Sequence, residues 1–228
     1  MAGETAKTRA VCLRIAPWSM TSHVVSWLSP EGVFATSVKG AMRPKSAFLG
    51  QYDLNYTCEV VYYLGARGGL HALRECAPLE MRDALRGDWR RLAAAGHMRA
   101  VAGELAPPGP DAGAYLSLLE DSLDALASGG GALAGLLSFE ISALRLAGLD
   151  PAAEADGGFF ALRGERRLAV SPEAARCIAD PQSVKDPKIL LDAARAIGVF
   201  YTFHLDRPPS TRSFAYKAAA TGKTGKEN

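Results

Sequence analysis

With 228 residues, 48% of them apolar, the chain can bury a core in one large or two small domains and is not a disordered polymer. Its formal charge of +2 conceals an asymmetry: residues 1–76 carry eight Lys/Arg against five Asp/Glu, residues 104–160 one against nine, and residues 161–228 twelve against seven, so a polyanion is expected to meet the ends. Cys12, Cys58, Cys76 and Cys177 are scattered without a Cys-x-x-Cys, which argues against a disulfide framework and fits a reducing cytosol; the start lacks the apolar core of a signal segment, and no apolar run is long enough for a membrane span.

Residues 1–8 read as a flexible tail. Val11, Leu13 and Ile15 alternate with Cys12 and Arg14, a half-buried strand that Pro17 is expected to end. A second run, His23–Leu28, leads through Ser29-Pro30-Glu31-Gly32 into a third, Val33–Val38, and this spacing predicts a hairpin. Next comes Lys39-Gly-Ala-Met-Arg-Pro-Lys-Ser46, a loop with three cations and no acid from Gly32 to Tyr52. Its Gly40 and Pro44 disfavour a regular helix or central strand. Tyr56–Leu64 and Leu70–Cys76 supply a fourth and a fifth strand around the turn at Gly65–Gly69.

Five short strands in about 70 residues predict a small closed barrel, and the five-stranded OB fold is the common solution of that size. Such barrels bind oligonucleotides with basic and aromatic side chains, for which Arg14, Trp18, Lys39, Arg43, Lys45, Tyr52, Arg67 and Arg74 are candidates. The plainer alternative is aromatics in the core and charges that only solvate a surface.

From Pro78 the period becomes helical. Leu85, Trp89, Leu92, Ala93 and Gly96 share one face, extended by Val101 and Leu105. After the break at Ala106–Pro110, Tyr115–Leu126 predicts a second helix. Leu133–Leu146 predicts a third, apolar nearly all round, capped by Gly148. Residues 149–180 read as an irregular subdomain. Ser171-Pro172 and Asp186-Pro187 each open a helix with an N-cap and a Pro at the first position. The α+β expectation is therefore an OB barrel over 9–77, a helical domain over 78–206, and a basic, mobile tail over 207–228.

Nothing in the sequence carries catalysis. His23, His71, His97 and His204 have no metal-ligand spacing to one another, to a Cys or to an acid. Gly222-Lys223-Thr224 lacks the upstream Gly of a phosphate loop. Glu120, Asp121 and Asp124 read as an exposed acidic face without partners.

Three stretches together resemble the RecO family of bacterial DNA repair proteins. One runs from Leu13-Arg14-Ile15-Ala16-Pro17-Trp18-Ser19, through Leu28-Ser29-Pro30-Glu31-Gly32, to Lys39-Gly40-Ala41-Met42-Arg43-Pro44-Lys45-Ser46, and is similar to the family's opening strands and its Lys-Gly-x-x-Arg-x-x-Ser loop. The second is Phe139-Glu140 through Leu144 to Leu146-Ala147-Gly148. The third is Tyr201 to Phe214, including Ser210-Thr211-Arg212-Ser213-Phe214. The chain departs from the pattern at Met20, where many relatives have an acid. It departs again in residues 149–180, which hold only Cys177 where many relatives carry a four-cysteine zinc site.

The resemblance implies a cytoplasmic, nucleoid-associated recombination mediator without enzymatic activity or cofactor, and the departure at residues 149–180, with Cys177 alone, implies that the zinc site is missing from this chain. It would bind single- and double-stranded DNA, anneal complementary strands, contact the tail of the single-strand-binding protein SSB, and join RecR to load RecA. Lys39 and Arg43 match the loop motif directly. For the SSB tail, an apolar groove with Arg145 at its rim is the expected seat. The competing readings are an OB–helical adaptor that binds proteins and hardly touches DNA, and an enzyme acting on nucleic acid.

Overall fold

The computed structural model describes residues 4–65, 69–152, 155–156, 159–161, 167–205 and 209–221. β1 (Thr5–Ser19), β2 (Ser22–Ser29), β3 (Gly32–Val38), β4 (Thr57–Tyr63) and β5 (His71–Glu80) close into a barrel in the order β1-β2-β3-β5-β4. All pairings are antiparallel except β3 with β5. This is the OB arrangement that the strand pattern predicts. The β2–β3 turn is the expected one: Ser29 pairs with Gly32, the Ser29 hydroxyl donates to the Gly32 carbonyl at 3.0 Å, and Gly32 takes a φ of +121° that suits glycine.

β1 is longer than the sequence suggests. Thr5–Val11 pairs with β4 and Val11–Ser19 with β2, so one strand serves two neighbours. Thr5–Thr8, expected in a flexible tail, are thus strand residues. Main-chain pairing with Val60–Tyr63 holds them, with the Lys7–Glu59 ion pair (2.8 Å) beside it, and neither leaves a hydropathy signal. Pro17 does not end β1, because beyond Val11 that strand pairs only with β2 and a missing N–H is tolerated there.

Inside the barrel, Cys12, Val25, Trp27, Val38, Cys58 and Val60 are fully buried, and the two thiols pack as small apolar groups. Trp27 donates its Nε1–H to Thr36 Oγ1 at 2.9 Å, so its one polar atom is satisfied.

The chain divides into two compact units. One comprises the described residues of Met1–Asp83 with Ala102–Leu123, the other those of Ala84–Val101 with Asp124–Asn228. In the first unit, Glu120 from α2 (Ala112–Ala127) accepts from Arg9 Nε at 3.0 Å and from the Thr57 hydroxyl at 2.8 Å. That residue is therefore not part of an unpartnered acidic face.

The second unit draws on α1 (Trp89–Leu105), α3 (Ala132–Leu146), α4 (Pro172–Ala179), α5 (Pro187–His204) and α6 (Arg212–Ala220), with a small sheet β6-β7-β8 (Ala155–Asp156, Phe159–Ala161, Arg167–Ala169). Ser171 and Asp186 cap α4 and α5 as their sequences predict. Gly148, at φ +76°, closes α3, with the Leu149 amide bonding back to Leu144 at 2.9 Å. The side chains of Phe159, Phe160 and Leu162 lie outside the described set.

Two expectations fail here for identifiable reasons. α1 turns Ala94, Ala95, Met98, Val101 and Ala102 inward, a ridge at i, i+1, i+4, i+7 and i+8, whereas Trp89 and Leu92 stay exposed. Small residues let helices approach closely, so the alanines, not the largest side chains, mark the buried face. Within the expected tail, Arg212–Ala220 is helical, and Ala215, Tyr216 and Ala218 are buried.

What holds α6 is Glu140, whose side chain is wholly buried. Its Oε1 accepts from His97 Nε2 at 2.7 Å and Arg212 Nε at 2.8 Å; its Oε2 accepts from an Arg212 terminal nitrogen at 2.9 Å and the Tyr216 hydroxyl at 2.6 Å. Arg212 also donates to the Ala194 carbonyl of α5 at 2.6 Å. A Cβ on Gly198 would lie 2.7 Å from the Arg212 guanidinium, so glycine makes room for it. Burial alone would raise the Glu140 pKa, but the His97 hydrogen bond and the Arg212 charge outweigh it and hold the carboxyl below the usual carboxylate range.

Glu140→Ala would strand a buried guanidinium and is expected to cost about 3–5 kcal/mol of unfolding free energy in urea denaturation followed by circular dichroism. The folded pKa of Glu140 lies below its unfolded value, so the unfolded chain binds the extra proton. The stabilisation from Glu140 is thus complete above the unfolded pKa and drains away as pH falls through the folded one. The Ala variant, compared with the parent over this acid range, should show a flatter decline of stability.

Candidate nucleic-acid interface

The loop after β3 is a chain of tight turns built on main-chain bonds. The Arg43 amide donates to Gly40 (3.1 Å), Ser46 to Arg43 (2.9 Å), Leu49 to Ser46 (3.3 Å) and Gln51 to Phe48 (3.1 Å). Gly40 starts the series at φ +69°, and a Cβ there would press on the Arg43 side chain at 3.3 Å. Ser46 Oγ accepts from the Phe48 amide at 3.2 Å. The Lys-Gly-x-x-Arg-x-x-Ser spacing therefore has a local logic: its Gly and Ser shape the turns that display its cations.

Apolar anchors fix the loop to the barrel. Ala41 is buried, and Phe48 and Tyr52 pack against the barrel core. Tyr52 bonds to His23 Nδ1 at 2.8 Å and meets Trp27 edge-on at 6.1 Å. Burial, reinforced by the nearby Cys12, pushes its phenol up to about 12. Tyr52 thus packs partly buried against the core, with its hydroxyl engaged by His23.

Lys39, Arg43 and Lys45 are exposed, and none has an ion-pair partner among the described residues. Arg74 is exposed on β5, but it is engaged with Glu75 at 3.1 Å and lies 5.8 Å from the Tyr63 ring centre. Arg14 is exposed on β1, opposite Ser26 of β2. Arg67 lies outside the described residues. Of the six candidate cations, then, the loop gathers three, while Arg74 on β5 and Arg14 on β1 stand apart on the barrel wall.

Arg145 is exposed but occupied: it donates to Asp150 at 3.0 Å and to the Ala179 carbonyl at 3.4 Å. It lines neither of two grooves in the second unit. One, of about 430 Å³, is lined by Trp89, Leu92, Arg99 and Phe214 among others; the second lies between α5 and α6 beside Arg195 and Lys217. Hydropathy placed Trp89 and Leu92 in a core, and only the alanine ridge of α1 could have signalled the groove.

Among the described residues, no group of three or more His, Cys, Asp or Glu could hold a metal ion, and no helix is long and apolar enough to cross a membrane. Cys177 is buried in α4, and burial, with Asp180 nearby, pushes its thiol up to about 11.

Residues 86–181 match the family described as Recombination protein O C terminal. The chain is also similar to proteins named DNA repair protein RecO. With that of Anaeromyxobacter dehalogenans it shares 31% identity over 67% of this chain and 60% of the relative. With that of Moorella thermoacetica it shares 28%, over 74% and 62%. The chain thus spans about three fifths of the length of these two relatives. With that of Anaeromyxobacter strain Fw109-5 it shares 30% identity, over 92% of this chain and 95% of the relative.

Purified protein is expected to contain no stoichiometric zinc by elemental analysis, and a strong chelator should leave its melting temperature unchanged.

Proposed function

The chain belongs to the RecO family of DNA repair proteins, and from that premise we propose that it is a recombination mediator that binds single- and double-stranded DNA and anneals complementary strands. The observation that supports this most is the loop after β3. Three exposed cations ride on a rigid series of turns, with no acid in the sequence from Gly32 to Tyr52. Such a loop can follow a phosphate backbone, which positions the strand without reading its bases. The protein brings strands together and performs no covalent chemistry on them. Arg14 and Arg74 of the barrel wall, and Arg67 by its charge alone, are further contacts in this reading.

In this reading, RecR and SSB are partners and RecA is the protein loaded. The acidic, apolar-ended tail of SSB requires an apolar seat with a cation nearby. The groove of Trp89, Leu92 and Phe214, with Arg99 in its lining, meets that requirement better than the surroundings of Arg145. Trp89 is 52% exposed and Phe214 64%, the kind of accessible aromatic that anchors a peptide. Binding of a labelled SSB-tail peptide, read by fluorescence anisotropy, should weaken roughly tenfold in Phe214→Ala. In Arg145→Ala it should hold.

The direct test of the DNA reading is a titration of a short labelled oligonucleotide at several salt concentrations. Replacing Lys39, Arg43 and Lys45 together by Ala should lower the slope of log affinity against log salt by about 2, at roughly 0.7 per single-strand phosphate contact. The loss should be nearly independent of base sequence. A thermal melt should show the triple variant folded as well as the parent. An unchanged slope in a folded variant would move the DNA elsewhere.

A further inference from the structure

The β1–β2 hairpin ends in a two-residue turn, Met20–Thr21, between the paired Ser19 and Ser22. Register shifts between Pro17 and Ser19, so Trp18 is an extra residue without an opposite number on β2. The bulge turns its side chain out: Trp18 is 70% exposed, Met20 97% and Met42 58%. Trp27, on the partner strand of the same hairpin, is fully buried with its indole N–H satisfied. Trp18 has no hydrogen-bond partner among the described residues. The fold therefore buries one tryptophan of this hairpin and displays the other.

The displayed tryptophan is tied to the basic loop. The Thr21 carbonyl accepts from the Met42 amide at 3.1 Å, and Ser22 Oγ accepts from the Gly40 amide at 3.3 Å. Trp18, Met20 and Met42 are thus exposed apolar side chains on a hairpin tip and a basic loop that hydrogen bonds join. The flanking sequence carries charge of one sign. No Asp or Glu occurs from Thr5 to Pro30 or from Gly32 to Tyr52, and Glu31 lies in the β2–β3 turn at the far end of β2. An indole on a projecting hairpin tip offers a flat face, which suits a planar partner better than a branched side chain that needs a concave seat.

We propose that Trp18 is a base-stacking residue: an unpaired nucleobase of single-stranded DNA lies on its indole, bordered by Met20 and Met42, while Lys39, Arg43 and Lys45 hold the adjoining phosphates. This rests on the DNA-binding reading above and adds the apolar half of the same interface. Stacking on an aromatic side chain tolerates any base, because every base has a π face. It also requires the base to be unpaired, so Trp18 confers preference for single strands where the cations alone confer none. Met20, at the turn itself, follows the stacked base and limits its approach to the next one.

The full-length protein and its Trp18→Ala and Trp18→Phe variants are titrated with a labelled oligothymidylate, and with an oligomer of equal phosphate number carrying abasic sites, at several salt concentrations. Trp18→Ala is expected to bind the oligothymidylate roughly five- to a hundredfold more weakly, with an unchanged salt slope. It should bind the abasic oligomer as the parent does, and Trp18→Phe should recover most of the loss. If Trp18→Ala binds the oligothymidylate like the parent while the parent keeps a steep salt slope, stacking is overturned and the DNA reading stands; the patch then serves a protein or a second copy. Equal weakening toward both oligomers, with a lowered melting temperature, would make Trp18 structural and also overturn the proposal. If the parent shows no salt-dependent binding, both readings fall together.

Discussion

A carboxylate shut away from water has to take all its hydrogen bonds from the protein, and the second unit is arranged to supply them to Glu140. Four donors converge on its two oxygens: one from α1 and three from α6, with the α6 arginine also held by a carbonyl of α5. Burying an ion pair is seldom a net gain over apolar packing, but its geometry is exacting, because a misplaced donor leaves a bare charge. The network therefore acts on specificity more than on total stability, by admitting few placements of α6. Apolar bulk comes from α3 itself, where Leu136, Leu137, Phe139, Ile141 and Leu144 are buried along with the acid.

The barrel solves a different problem. Its loop after β3 has to display cations and yet keep a fixed shape. The structure separates these tasks by residue: Ala41, Phe48 and Tyr52 face inward, and Lys39, Arg43 and Lys45 face water. Fixing the main chain by successive turns lowers the conformational entropy that binding would otherwise remove, so the cations are preorganised although each side chain is free to move. The hairpin tip at Met20–Thr21 is bonded to the same loop, so the two cannot shift independently without breaking those bonds.

How much of this the sequence reveals depends on whether the signal is periodic. β2 and β3 are β-branched runs joined by a turn signal, β4 alternates, and α2 and α3 carry wide leucine stripes, so all five are legible. The start of β1 is not, since Thr5-Ala6-Lys7-Thr8 is held by main-chain pairing. The face of α1 is misread because alanine scores weakly for hydropathy and yet packs closest. α6 looks like tail, since what orders it is a partner 72 residues earlier in the chain. The site shows the same division. Lys39, Arg43 and Lys45 are visible as charge on a turn-forming stretch. The opposite fates of Trp18 and Trp27, or of Tyr52 against any exposed tyrosine, turn on a one-residue bulge and on loop packing, which no local pattern records.

The wide spacing of the Glu140 cluster separates the two units in time as well as in architecture. The barrel strands are all present once the ribosome has passed Glu80, and their pairings are mostly between near neighbours, which favours early formation. The acid of α3 is made long before the arginine that balances it, so the helical unit must wait, with Glu140 still hydrated, until Arg212 and Tyr216 have emerged. A growing chain therefore carries a finished barrel, loop and hairpin tip ahead of an unfinished helical unit, and a chaperone that engages the nascent protein would find its work in the second.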